Sequence, residues 1–183
     1  MLAAAREVFA RKGMAAKMSD VASEAGVSPG LAYHYFPSKE AIFLVLARQS
    51  VRPAEELRAI VQRMPGTPRD RLKRMLAGML ERRREDPEFY QFFYQAMASD
   101  SLPADLREQI RQQGLSMREI MRGLIVEGQA TGEITDDDPD KLVSTLLACL
   151  DGLSRVVQLS PEDVEKQMPD AEIILRILGP GPK

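Results

Sequence analysis

Apolar residues recur at helical spacing along most of this chain. Leu2, Ala5, Val8 and Phe9 share one face of a first helix running from Leu2 to Lys12, with Gly13 placed as its C-terminal stop. A short second helix is predicted from Met18 to Ala25. Its first turn carries Asp20, where the helix dipole favours an anion, and Gly26 ends it. Ser28 and Pro29 open a third helix: the hydroxyl caps a backbone N–H, and proline has its φ preset and no N–H to waste. Pro37 stops it after Tyr35, and Ser38 then caps a long fourth helix with Ala41, Ile42, Val45 and Leu46 on its inner face. Beyond the strong break Pro65-Gly66-Thr67-Pro68, further helices are predicted around 69–85, 88–99, 104–131, 139–158 and 170–178. The mixed-sign run Glu81-Arg82-Arg83-Arg84-Glu85-Asp86 reads as a solvated helix face.

Composition agrees with an all-α fold. There is no tryptophan, and Ala, Leu, Arg, Glu, Gln and Met dominate; these residues lose little rotamer freedom in a helix. A hydrophobic content of 44% over 183 residues suffices for a real core. With one cysteine, Cys149, and one histidine, His34, neither an internal disulfide nor a thiolate zinc site is expected, and no cofactor is implied. No apolar run approaches the length of a membrane span, and the N-terminus lacks a signal-peptide core, so a cytoplasmic protein without membrane contact is expected. Charge is uneven. Residues 1–50 carry six basic and four acidic side chains, whereas the rest carry 19 and 23. A basic head on an acidic body suits a polyanion at one end.

The densest pattern lies in that head. Two short helices crossing at a tight turn need small residues at the crossing and a turn residue tolerant of positive φ. Val21-Ala22, Ala25-Gly26-Val27, Ala32 and Tyr35 meet those needs at the offsets of a DNA-binding helix-turn-helix. An ordinary αα-corner shares the Ala-x₃-Gly part of the pattern. The longer stretch Gly26-Val27-Ser28-Pro29-Gly30-Leu31-Ala32-Tyr33-His34-Tyr35-Phe36-Pro37-Ser38-Lys39-Glu40-Ala41 resembles the signature of the TetR family of bacterial regulators, and residues 2–12 are similar to that family's first helix. Later, Glu127-Gly128-Gln129-Ala130-Thr131-Gly132-Glu133-Ile134 and Leu150-Asp151-Gly152-Leu153 resemble the family more loosely.

The resemblance implies a DNA-binding domain over residues 1–47 and a helical ligand-binding and dimerisation domain over 48–183. It implies that Tyr33 and Lys39 meet DNA phosphates, and that Pro29, Gly30, Leu31 and His34 lie at the groove-facing start and side of the recognition helix. The residue chemistry is compatible: lysine, a phenol and helix-end N–H groups suit phosphate, while Leu31 fits a thymine methyl and His34 donates to a base or a phosphate. The second helix lacks the hydroxyl residue usual at its start. Lys17 is expected to supply the phosphate contact there, with Ser19 in the first turn and Ser28 at the next cap. Tyr35 and Phe36 are expected in the core.

In the body, Met and Phe exceed one packing stripe. Met75, Met79, Phe89, Phe93, Met97, Met117, Met121 and Cys149 are expected to line an apolar cavity for an apolar or aromatic small-molecule effector, an expectation that rests on the resemblance together with methionine's adaptability. For any one of them taken singly, a plain core is the better reading. Leu146, Leu150 and Leu153 on one helix, and Ile174 and Ile177 on the last, are expected to form a homodimer interface. The whole reads as a ligand-responsive repressor gripping a palindromic operator as a dimer. The alternatives are an activator or architectural DNA-binding protein without a ligand, and an α-helical enzyme. The last is disfavoured: Asp136-Asp137-Asp138 has no His or Cys partner nearby, and one histidine leaves little acid–base machinery.

Overall fold

The computed structural model describes residues 1–50, 54–85, 103–159 and 163–179, and every regular element among them is helical. The chain forms two compact units, Met1–Arg52 with Glu88–Arg111, and Pro53–Pro87 with Gln112–Lys183.

The first unit contains α1 (Leu2–Lys12), a 3₁₀ turn (Gly13–Ala15), α2 (Met18–Glu24), α3 (Pro29–Tyr35) and α4 (Lys39–Ser50). Its core gathers Ala5, Val8 and Phe9 from α1, Val21 and Ala22 from α2, Ala32 from α3, and Ile42, Phe43 and Leu46 from α4. Phe9 and Phe43 meet edge-to-face with ring centroids 6.3 Å apart, an arrangement that aromatic quadrupoles favour. The long helix α7 (Ala104–Ala130) also contributes here, because Leu106 and Ile110 are buried in the same core. Leu106 and Ile110 thus join the core of the first fifty residues from a helix that starts more than fifty residues further along.

The second unit holds α5 (Ala54–Arg63), α6 (Pro68–Glu85), the rest of α7, α8 (Pro139–Leu159), and the short α9 (Val164–Gln167) and α10 (Ala171–Leu175), ending in a 3₁₀ turn (Arg176–Leu178). Two helices occupy the stretch expected to hold one long fourth helix, with residues 51–53 between them outside the described set. Pro53, which has no N–H to give an i→i−4 bond, is the residue a single helix would have carried in its interior. The helix expected over 88–99, with Phe89, Phe93 and Met97, also lies outside the described residues.

The body core contains Leu72, Met75, Leu76 and Leu80 of α6, Met121, Leu124 and Ile125 of α7, Leu146 and Leu150 of α8, and Ile174, Leu175 and Leu178 at the end. Arg83, read as part of a solvated face, is only 7% exposed. Its Nε donates to the buried Ser154 hydroxyl at 2.9 Å and an Nη donates to the Met79 carbonyl at 3.0 Å, while Asp151 lies 4.0 Å away. Burying a guanidinium is tolerable because its donors are met. Among the described residues no helix is long and apolar enough to cross a membrane.

Candidate nucleic-acid interface

The turn between α2 and α3 is built by short-range bonds. Gly26 adopts φ +65°, which a side chain disfavours, and Val27 N–H donates to the Ala22 carbonyl at 3.0 Å. Ala22 and Ala32 are both fully buried, so the two helices cross on methyl groups alone. Ser28 caps α3 by accepting the Leu31 N–H at 3.2 Å, and Pro29 occupies the first helical position. Lys17 sits at the N-cap of α2 with no acceptor of its own. Only the reciprocal half of a capping box forms, in which Lys17 N–H donates to Asp20 at 2.8 Å. Lys12 donates to the other Asp20 oxygen at 2.9 Å, and Arg11 pairs with Glu24, so α1 and α2 are tied by charge at two places. The Lys17 N–H, then Lys12, hold the Asp20 carboxyl below the usual carboxylate range.

One consequence dominates the geometry of α3: of its seven residues, Ala32 alone is buried. Pro29, Gly30, Leu31, Tyr33 and His34 are all exposed, as are Lys17, Ser19 and Ser28 around them. Lys39 opens α4 with its side chain 26% exposed and its Nζ 3.9 Å from Glu40. The nine residues expected to meet DNA thus fall at the starts of α2 and α4 and along α3. Tyr35 departs from expectation. It lies three residues after Ala32, on what periodicity makes the inner face, yet it is 66% exposed. The helix ends there: Phe36 turns extended at φ −137°, ψ 122°, and packs partly into the core in its place. The Tyr35 ring stands edge-on to His34, centroids 5.6 Å apart. Periodicity and the Pro37 stop together do not find this, because it depends on Phe36 rather than Tyr35 reaching the core.

In the body, Met75 and Met121 are buried within the core, and Met79, Met117 and Cys149 pack against it half-buried. A hollow of about 170 Å³ between α5, α6 and α7 is lined by other residues, among them Arg58, Val61, Arg71, Glu119, Ile120 and Glu127. Arg58 pairs with Glu119 at 3.1 Å across it, and Arg71 pairs with Glu127. The residues expected at a dimer interface differ in exposure. Leu146, Leu150 and Ile174 are at most 4% exposed and belong to the chain's own core, so they are not open to a partner. Leu153 is half-buried, and Ile177 is exposed together with Ile173 and Val156.

Comparison with known proteins places this arrangement. The family profile described as "Bacterial regulatory proteins, tetR family" matches residues 1–46. A second, "Tetracyclin repressor-like, C-terminal domain", matches residues 65–155. The chain belongs to the TetR family. This TetR-family regulator is 27% identical to the HTH-type transcriptional regulator BetI of Rhizobium meliloti over 155 residues, 82% of this chain and 72% of that relative. Among solved structures it resembles a TetR-family transcriptional regulator from Rhodococcus sp., with TM-score 0.63 and 27% identity, covering 97% of this chain and 95% of the other. It also shares the fold of a transcriptional regulator from Saccharomonospora viridis in complex with choline, with TM-score 0.69 and 24% identity, covering 96% and 93%. As in its relatives, a DNA-binding helix-turn-helix precedes a helical body, and the protein is a transcriptional regulator.

Proposed function

We propose that this TetR-family protein is a ligand-responsive repressor that binds a near-palindromic operator as a homodimer. The observation that carries the reading is α3, a helix anchored by one methyl group with every other side chain turned outward. A helix so shallowly embedded has its sides open to a major groove. In this reading Lys17, Ser19, Ser28, Tyr33 and Lys39 position the head on phosphates, and Pro29, Gly30, Leu31 and His34 meet base edges.

The partner covers apolar surface that the chain leaves open. Ile177 and Leu153, with Ile173 and Val156, are the side chains available for it. The effector is largely apolar or aromatic and enters between α6, α7 and α8, where Met75, Met79, Met117, Met121 and Cys149 provide an adaptable lining. A relative crystallised with choline supports small-molecule control in this fold. Effector that prefers one spacing of the two heads shifts the population away from the DNA-competent form.

Selection from random duplex DNA tests the reading. It should enrich two inverted half-sites centred about 34–36 Å apart, or a small extension of that, occupied by two chains. Ile177→Glu should leave monomers by light scattering while the fold survives, because Ile177 is already solvated. Cys149→Phe should fill the effector space and block ligand-driven release while DNA binding persists. Enrichment of single, unrepeated sites would overturn the dimeric operator.

A further inference from the structure

We propose that the hollow between α5, α6 and α7 binds a small zwitterion with an apolar side chain, of the α-amino acid class. The inference goes beyond the effector reading, because neither Cys149 nor any methionine assigned to the effector lines this hollow. Its walls come from one face of each helix. Arg58 and Val61 stand three residues apart on α5, and Ile120, Gly123, Leu124 and Glu127 repeat at helical spacing along α7. Arg71 contributes the wall from α6.

Size and floor suit a short aliphatic side chain. The volume is about 170 Å³, close to the roughly 150 Å³ of an engineered apolar cavity that admits benzene. Val61, Ile120 and Leu124 are at most 8% exposed and form an apolar floor. A ligand side chain laid on them leaves water as a core residue does. Glycine inside a helix is costly relative to alanine, and at Gly123 an added Cβ would meet nothing within 4 Å. No neighbour packs into that space, so the α7 wall stays open there.

Charge selects the class of ligand. An Arg58 Nη donates to Glu119 at 3.1 Å, and Arg71 pairs with Glu127. With two guanidiniums and two carboxylates the lining is neutral overall. A simple anion meets two repelling carboxylates there, and a simple cation meets two repelling guanidiniums. A zwitterion, its opposite charges one carbon apart, lies antiparallel along one such pair with each charge facing its opposite. Arg71 marks which pair. Its Nε is buried and has no hydrogen-bond partner among the described residues, although an Nη is taken by Glu127. A buried donor left unmet is costly, and a ligand carboxylate accepts from it. The ligand ammonium then turns to Glu127 and the side chain to the floor. Glu127 is more than half exposed, so its pair with Arg71 is held weakly enough to make room.

Isothermal titration calorimetry of the full chain with L-leucine tests this, beside two analogues that each lack one charge, isocaproate and isoamylamine. Leucine should bind. Each analogue should bind on the order of tenfold more weakly, the loss of one charge-assisted hydrogen bond. Arg71→Gln should weaken leucine by a similar factor. Gly123→Leu should abolish binding, because its side chain occupies the hollow. Gly123 is exposed and within a helix, so that variant keeps its fold, which circular dichroism verifies. Absence of leucine binding at millimolar concentration would overturn the proposal. Analogues as tight as leucine would overturn the zwitterion, and unchanged leucine binding in Gly123→Leu would overturn the hollow as its site. No readout here uses DNA or an apolar effector, so failure of this site and failure of the effector reading are told apart.

Discussion

Replacing Lys39 by alanine separates positioning from reading at the DNA interface. Lys39 opens α4, its Nζ 3.9 Å from the Glu40 carboxylate, at the outer limit of an ion pair and exposed enough to turn to a phosphate. Each phosphate neutralised on duplex DNA contributes about 0.9 to the slope of log affinity against log salt. A dimer carries two copies, so Lys39→Ala should lower that slope by about 1.8. Between about 50 and 200 mM salt, a fourfold change, the gap between native and variant affinity should shrink by about 12-fold. The defect should be the same on the operator and on a shuffled duplex, because phosphate carries no sequence information. Fluorescence anisotropy of labelled duplexes across a salt series reads both quantities. Leu31→Ala, by contrast, should leave the slope intact and weaken preference at one base pair by about 1 kcal/mol. An unchanged slope for Lys39→Ala, or a loss confined to one sequence, would refute the division of roles.

Three glycines of α7 make a matched set for stability. Alanine in place of glycine inside a helix gains about 0.5–1 kcal/mol; at Gly114 and Gly123 an added Cβ meets nothing within 4 Å, so both substitutions should stabilise by that much. At Gly128 the Cβ would lie 2.6 Å from Ile134 Cδ1 and 2.9 Å from Cγ1. Shifting buried Ile134 costs about 1–3 kcal/mol, so Gly128→Ala should destabilise by about 1 kcal/mol net and lower Tm by about 2–4 °C; equal gains at all three positions in urea denaturation would refute this. Glu172 predicts an acid response. Lys73, then Arg69, hold its carboxyl below the ordinary glutamate value. Its contribution is therefore complete above the unfolded value, near 4.3, and is lost as pH falls through the lower folded value. Amide protection across Ala171–Leu178 should hold from neutral pH down to the unfolded value and decline as pH falls below it, a decline that Glu172→Gln should flatten.

The head was legible in the sequence because its determinants are local. Ser28 and Ser38 cap their helices, Gly26 takes the positive φ the turn requires, and Ala22 and Ala32 meet at the crossing, all within about twenty residues. Helix caps and turns are decided by backbone geometry over a few residues, so residue type and spacing suffice to place them. The all-helical class followed equally directly from composition. What escaped was every question of which side of a stripe meets what. Periodicity marked Leu146, Leu150 and Ile174 as an apolar face, but only the packed chain shows that face consumed internally while Ile173 and Ile177 remain outside. Arg83 lies in a charge run indistinguishable from a solvated one, and Ser154, 71 residues away, makes its burial tolerable. Leu106 and Ile110 join a core built from the first fifty residues. A helical repeat states that a face must be covered, and the covering residues come from anywhere in the chain. Their identity is therefore a property of the tertiary fold alone.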